Sequence, residues 1–300
     1  MSLFQYDFMV RALLGALVTG LAAPALGTYL VQRRLALIGD GIGHVALTGV
    51  GVGLLTGGSP VLAAVLAAAA GAVVVELIRE RGRASGDIAL ALLFYGGISG
   101  GVFLVGLSAD KTSANLTAYL FGSPLTTSRA DLVTMALLGA VVLGVALVLR
   151  PWLFALCQDE EYARVSGLPV RALNLLLAVT TAVTVTVAMR AVGLLLVSAL
   201  MVVPVATAQQ VTRGFRATMT AAMAIGVLSA AAGIWFAGTY DTAPGATIVL
   251  VAIAAFFAVA VVSGLRRALR GRRAAAPVSP GAAAGADQVA EEQPDVVLDR

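Results

Sequence analysis

Histidine, cysteine and lysine are almost missing from this chain: each occurs once in 300 residues, as His44, Cys157 and Lys111. A single cysteine excludes an intrachain disulfide framework and any cysteine-rich metal site. No H-E-x-x-H or G-x-S-x-G motif is present, and there is no second histidine for a nucleophile–base pair, so the chain reads as a non-enzyme. No G-x-x-x-x-G-K-[ST] occurs, and Lys111 lies in a polar loop, so this chain is not itself a P-loop ATPase. Charge is scarce as well: 12% of residues are charged, against about 25% in soluble domains. The net charge of +4 does not imply nucleic acid, because the arginines sit in short loops between apolar runs. The N-terminal stretch MSLFQYDFMVRALL has neither a basic leader nor a small-residue cleavage site, and no removable signal peptide is expected.

Apolar residue is abundant instead, at 59% of the chain with a mean hydropathy of +0.95. Crossing a bilayer takes about 20 such residues. Nine stretches qualify: 9–31, 36–56, 60–78, 88–107, 131–149, 172–189, 191–211, 217–237 and 246–264. The expected protein is therefore all-α and polytopic, with about nine transmembrane helices, or eight if one segment is re-entrant. Arg33 and Arg34, Arg79 to Arg83, Arg150 to Arg171, Arg213 and Arg216, and Arg266 to Arg273 fall in alternate loops. Positive charge favours the cytoplasmic side, which places the N-terminus outside and the C-terminus inside the cell membrane. Residues 1–265 form the expected transmembrane domain. Residues 266–300, rich in Ala, Pro, Gly and acids toward the end, form an expected disordered cytoplasmic tail.

The stretch RRLALIGDGIGHVALTGVGVG, 33–53, organises the reading. On a helix Asp40 and His44 lie one turn apart on one face, and Thr48 and Gly51 continue it. An acid at mid-bilayer depth costs about 2.5–3.5 kcal/mol, which makes it a functional-site hypothesis by default. The pair is either a packing pair bonded to a neighbour or a pair of metal ligands. Two ligands from one helix do not complete a site that usually takes four. Two copies of the helix across a two-fold axis would double the set, and Gly39, Gly41, Gly43, Gly49, Gly51 and Gly53 permit close helix approach.

Elsewhere, Pro204 lies inside an apolar run and must interrupt its hydrogen-bond ladder, either as a plain kink or as a broken helix lining a path. Arg190 alone separates two runs, as a snorkelling boundary residue or an outer gate. The run 116–129 is expected to be an interfacial or re-entrant piece on the outer face. Glu76, Arg79 and Glu80 read as a solvated helix end, and Asp87 as a helix cap. Within the cytoplasmic loop 150–171, Asp159, Glu160 and Glu161 ahead of Ala163 look like the acidic start of a short helix that Gly167 and Pro169 end.

Taken together, LVQRRLALIGDGIGHVALTGVGVG at 30–53, AYLFGSPL at 118–125, DEEYARVSGLPV at 159–170, MRAVGLLLVSALMVVPVATAQQV at 189–211 and YDTAPGATIVL at 240–250 resemble the ZnuB-like permeases of zinc, manganese and iron ABC uptake systems. The resemblance covers about 8–265. It implies a type II-like ABC importer bundle acting as a homodimer with cytoplasmic ABC ATPase subunits and an extracytoplasmic metal-binding protein. It also implies that Asp40 and His44 contact the transported ion, and that 159–169, with Asp159, Glu160, Glu161, Ala163 and Gly167, docks the ATPase. Thr48, Arg190 and Pro204 are the further pathway or gate candidates. No cofactor is expected to stay bound; the cargo is a divalent metal, zinc first and manganese or iron next. Here Gly41, Ile42 and Gly43 separate the acid from the histidine, a more flexible spacer than the resemblance implies. The rival readings are an ion- or proton-coupled secondary carrier without an ATPase, a non-transporting scaffold, and an exporter.

Overall fold

The computed structural model describes residues 7–80, 86–108, 120–122, 128–189 and 192–274, and among them the chain is helical with no strand. In order the helices are α1 (Asp7–Gln32), α2 (Ile38–Thr56), α3 (Pro60–Glu80), α4 (Gly86–Leu107), α5 (Arg129–Val148), α6 (Arg150–Gln158), α7 (Glu160–Val165), α8 (Val170–Ala188), α9 (Leu194–Gln209), α10 (Phe215–Tyr240) and α11 (Pro244–Ala274). Each of the nine expected apolar runs falls on one helix. Eight are long and apolar enough to span a membrane, and α9 is the shorter ninth. By contact the chain divides into a unit Met1–Val259 and a second unit, Ala260–Arg300, whose described part is residues 260–274 of α11. Lys111 and the tail beyond 274 lie outside the described residues, as do Arg190 and most of the run 116–129.

α1, α2 and α8 are the most enclosed spans, whereas α3, α4, α5 and α11 expose most of their surface. The exposed residues are apolar, among them Leu66, Leu92, Phe103, Leu137 and Leu250, as expected of faces turned to lipid. Threonines on α8 need no outside partner. Thr180, Thr181, Thr184 and Thr186 each donate to the carbonyl four residues back, which satisfies a buried hydroxyl inside the helix itself.

Ion pairs test the alternation of ends. Arg33 meets Glu160 at 2.7 Å and Arg171 meets Glu80 at 3.0 Å, which gathers the loops after α1, after α3 and before α8 at one end. Arg129 meets Asp7 at 3.4 Å, joining the starts of α5 and α1. Glu76 is not part of a solvated end. It is 5% exposed and bonded to Arg79 at 2.7 Å, because α3 continues to Glu80 and buries that face. α4 already begins at Gly86, so Asp87 lies in its first turn rather than preceding it.

The loop 150–171 is more helical than expected. Pro151 occupies the start of α6, where its missing N–H costs nothing, and Leu153 and Leu156 bury one face of that helix. α7 follows as the sequence suggests. Asp159 caps it, its Oδ1 accepting from the Tyr162 amide at 3.0 Å. Gly167 ends it at φ +80°, a left-handed backbone that favours glycine.

α9 is shorter than the run 191–211 because Gly193 precedes it at φ +95°. A side chain at Gly193 would also collide with the backbone of Phe121 and Gly122, so the described part of the 116–129 run lies against the start of α9. Pro204 sits buried within α9, and the helix runs through it to Gln209.

Candidate functional site

α2 is the least apolar of the spans and the most enclosed. Its glycines are used inside the chain. A Cβ at Gly49 would lie 2.5 Å from the Ala63 carbonyl oxygen on α3, one at Gly51 2.8 Å from Leu104 on α4, and one at Gly39 3.2 Å from the Ser198 hydroxyl on α9. The seam with α4 is the tightest at the candidate site. A Cβ at Gly97 of α4 would lie 2.6 Å from the His44 carbonyl carbon and from the Val45 amide nitrogen. The close approach expected between two copies of α2 is thus taken by α3, α4 and α9 of the same chain.

The stripe Asp40, His44, Thr48 and Gly51 borders α4. Thr48 donates its hydroxyl to the Gly97 carbonyl at 2.7 Å, which ties the two helices one turn beyond the histidine. His44 is 3% exposed and meets the Phe94 ring edge-on, with ring centroids 4.3 Å apart. Its Nδ1 is buried with no hydrogen-bond partner. Asp40 lies at the start of its helix rather than in the middle of it. It stands in the first turn of α2, where the partial positive charge of the helix start favours a carboxylate. It is half-buried and lines a cavity of about 330 Å³ with Leu37, Leu90, Ala91, Phe94 and Tyr95. So the carboxylate opens to a cavity, and the imidazole lies one turn deeper behind Phe94.

Among the described residues no group of three His, Cys, Asp or Glu side chains could hold a metal ion. Sequence reasoning missed Ser198. Its hydroxyl is buried without a partner on α9, against Gly39 of α2. Its only signal was a hydroxyl inside the apolar run LLLVSALMVVP.

The residues of the second predicted site lie on and beside α7. Glu160 on α7 accepts from Arg33 at 2.7 Å, and the same guanidinium donates to Asn174 Oδ1 on α8 at 2.6 Å. Arg33 is 7% exposed on its side chain and stands where α1 turns toward α2. Arg34 makes that turn at φ 60°. Tyr162 and Val165 of α7 are 69% and 88% exposed, and Glu161 is exposed beside them. Ala163 is fully buried, which makes it the anchor of α7 rather than part of the outward face. Nearby, burial pushes the Cys157 thiol up to about 11, with the Arg33 guanidinium pulling the other way.

Comparison with known proteins follows the same outline. The ABC 3 transport family matches residues 5–263. The manganese transport system membrane protein MntC of Halalkalibacterium halodurans is 34% identical over 277 residues, covering 91% of this chain and 94% of that protein. The chelated iron transport system membrane protein YfeD of Yersinia pestis is 31% identical over 272 residues, covering 91% of each. Among solved structures, PsaBC from Streptococcus pneumoniae in complex with Fab superposes with a TM-score of 0.77 at 26% identity, covering 86% of this chain and 92% of that one. With its bundle of apolar helices, the chain belongs to the ABC 3 transport family, as a multi-span membrane permease subunit.

Proposed function

We propose that this chain forms the path of an importer that carries a divalent metal ion into the cytoplasm, driven by ATP hydrolysed on partner subunits. The observation that carries the reading is the pair on α2: an Asp40 carboxylate open to a cavity, and one turn away a buried His44 whose Nδ1 has no partner. A packing pair would be bonded to its neighbours. These donors are left for something that passes. Two donors per chain bind weakly enough to release, as conduction requires; a second copy of the chain would add ligands only from the open side of the Asp40 cavity, since the glycine faces of α2 are occupied.

Carboxylate and imidazole together suit manganese, ferrous iron or zinc. The relatives are named for manganese and chelated iron, which moves those two ahead of zinc. α7 presents Glu161, Tyr162 and Val165 outward at the Arg-rich end, a surface suited to a cytoplasmic ATPase. An extracytoplasmic binding protein would deliver the metal at the other end. The Arg-rich loops support a cytoplasmic C-terminus, and an uptake permease of this kind belongs in the plasma membrane.

The test is uptake of radiolabelled manganese, ferrous iron and zinc into vesicles that hold the permease with its ATPase, the binding protein being supplied outside. ATP-dependent uptake of one ion is expected. Uptake that persists without the ATPase would replace the reading with a secondary carrier, and export would reverse it.

A further inference from the structure

A second cavity, of about 590 Å³, lies where α5 passes into α6 and where α10 begins. It is lined by Arg150, Arg213 and Arg216 together with Pro151, Phe154, Phe215 and Ala217. None of the three guanidiniums takes part in an ion pair among the described residues. Three cations around one cleft, Arg213 and Arg216 exposed and none paired among the described residues, make it a place an anion is drawn to.

The wall beneath them is aromatic and continuous with the bundle. Phe215 meets Phe154 at 4.9 Å and Tyr29 at 5.1 Å between ring centroids. Gly214 caps α10 with φ +97° and no side-chain bond, and Gly214 to Ala217 line the cleft, so this 26-residue helix starts at it without a side-chain cap. Large apolar side chains stand exposed beside the cleft. Val148, at the end of α5, is 77% exposed, and Trp152, one turn on, is 52% exposed. Tryptophan just past the end of a span marks the membrane interface.

We propose that this cleft binds the headgroup phosphate of an anionic phospholipid in the leaflet at the Arg-rich end. The three arginines and the start of α10 hold the phosphate, by forked guanidinium bonds and helix-terminal amides. The apolar side, toward Phe154 and Val148, receives the acyl chains. Basic clefts between transmembrane helices take anionic headgroups in this manner. A protein partner fits less well, because the cations rim an apolar cleft open at the lipid-facing end of α5, apart from the exposed face of α7.

The experiment is native mass spectrometry and thermal unfolding of the purified full-length permease, titrated with dioleoyl phosphatidylglycerol, dioleoyl phosphatidylcholine or inorganic phosphate. Phosphatidylglycerol should be retained and should raise the unfolding midpoint, and phosphatidylcholine should do neither. Removing guanidiniums should weaken retention about fivefold each, so Arg213→Gln with Arg216→Gln should lose about twenty-five-fold. Ala217→Glu, at an exposed position, puts a carboxylate in the cleft and should abolish retention even if the double variant does not fold. Arg11→Gln with Arg129→Gln, at the opposite end, should leave retention unchanged. Equal retention of both lipids, or equal loss in the Arg11 and Arg129 variant, overturns the site. Inorganic phosphate displacing the lipid on equal terms overturns the lipid as its source. Lost ATPase co-purification with lipid retention intact assigns the arginines to a protein and overturns the proposal.

Discussion

Removing the Glu160 carboxylate should do more than a surface change. Arg33, 7% exposed, donates to Glu160 Oε2 at 2.7 Å and to Asn174 Oδ1 at 2.6 Å. Glu160→Ala leaves that guanidinium with one neutral acceptor. Breaking a fully buried pair from one side costs about 3–5 kcal/mol. Glu160 is itself 37% exposed, so water screens the pair and replaces part of the loss. The expected cost is therefore about 1–2 kcal/mol, or about 2–8 °C in the unfolding midpoint. Glu160→Gln keeps an acceptor and should lose less than half of that. Arg33→Gln combined with Glu160→Gln should cost clearly less than the two singles added, since the partners couple directly. Arg33 stands seven residues before Asp40 in the chain, across the turn that enters α2. Uptake should accordingly fall further than ATP hydrolysis in Glu160→Ala. The assays are intrinsic-fluorescence melting and metal uptake per ATP hydrolysed in the same vesicles. An unchanged midpoint with additive singles would show that the pair holds nothing, and the reasoning would fail.

Three further outcomes follow from the same geometry. Gly97→Ala drives a methyl into the His44–Val45 backbone and loosens the Thr48 bond, and should cost about 1–3 kcal/mol and slow uptake; a wild-type midpoint would show that the α2–α4 seam yields freely. Cys157, with its thiol near 11 instead of 9.0, should be alkylated about a hundredfold more slowly than a free thiol at pH 8 and gain reactivity up to about pH 11; pH-independent labelling would contradict its burial. Val165→Asp together with Tyr162→Asp should leave folding intact, because both side chains are exposed, yet abolish co-purification of the ATPase; retention would move the docking surface elsewhere.

The spans were legible because hydropathy and length alone select transmembrane helices, and the caps of α7 were legible because Asp159 and Gly167 act within their own turn. What the sequence does not carry is separation in the chain. Arg33 finds its partners 127 and 141 residues away, and no local pattern marks such a meeting. The glycines of α2 announced a close approach without naming the partner, which proves to be α3, α4 and α9. Glu76 read as solvated because its neighbours are charged, yet its face of α3 turns inward. α6 was hidden by Pro151, which breaks a helix in its middle but begins one here. Asp40 and His44 stood out by rarity, whereas Ser198, against Gly39 on α9, did not.

The central claim is that metal passes at the Asp40–His44 pair. ATP-driven uptake of radiolabelled manganese by vesicles with His44→Ala or Asp40→Asn, matched to wild type for inserted permease and bound ATPase, tests it most directly. The account predicts that uptake is lost in both variants while the complex stays assembled. Wild-type uptake by both would contradict it and place the path away from α2.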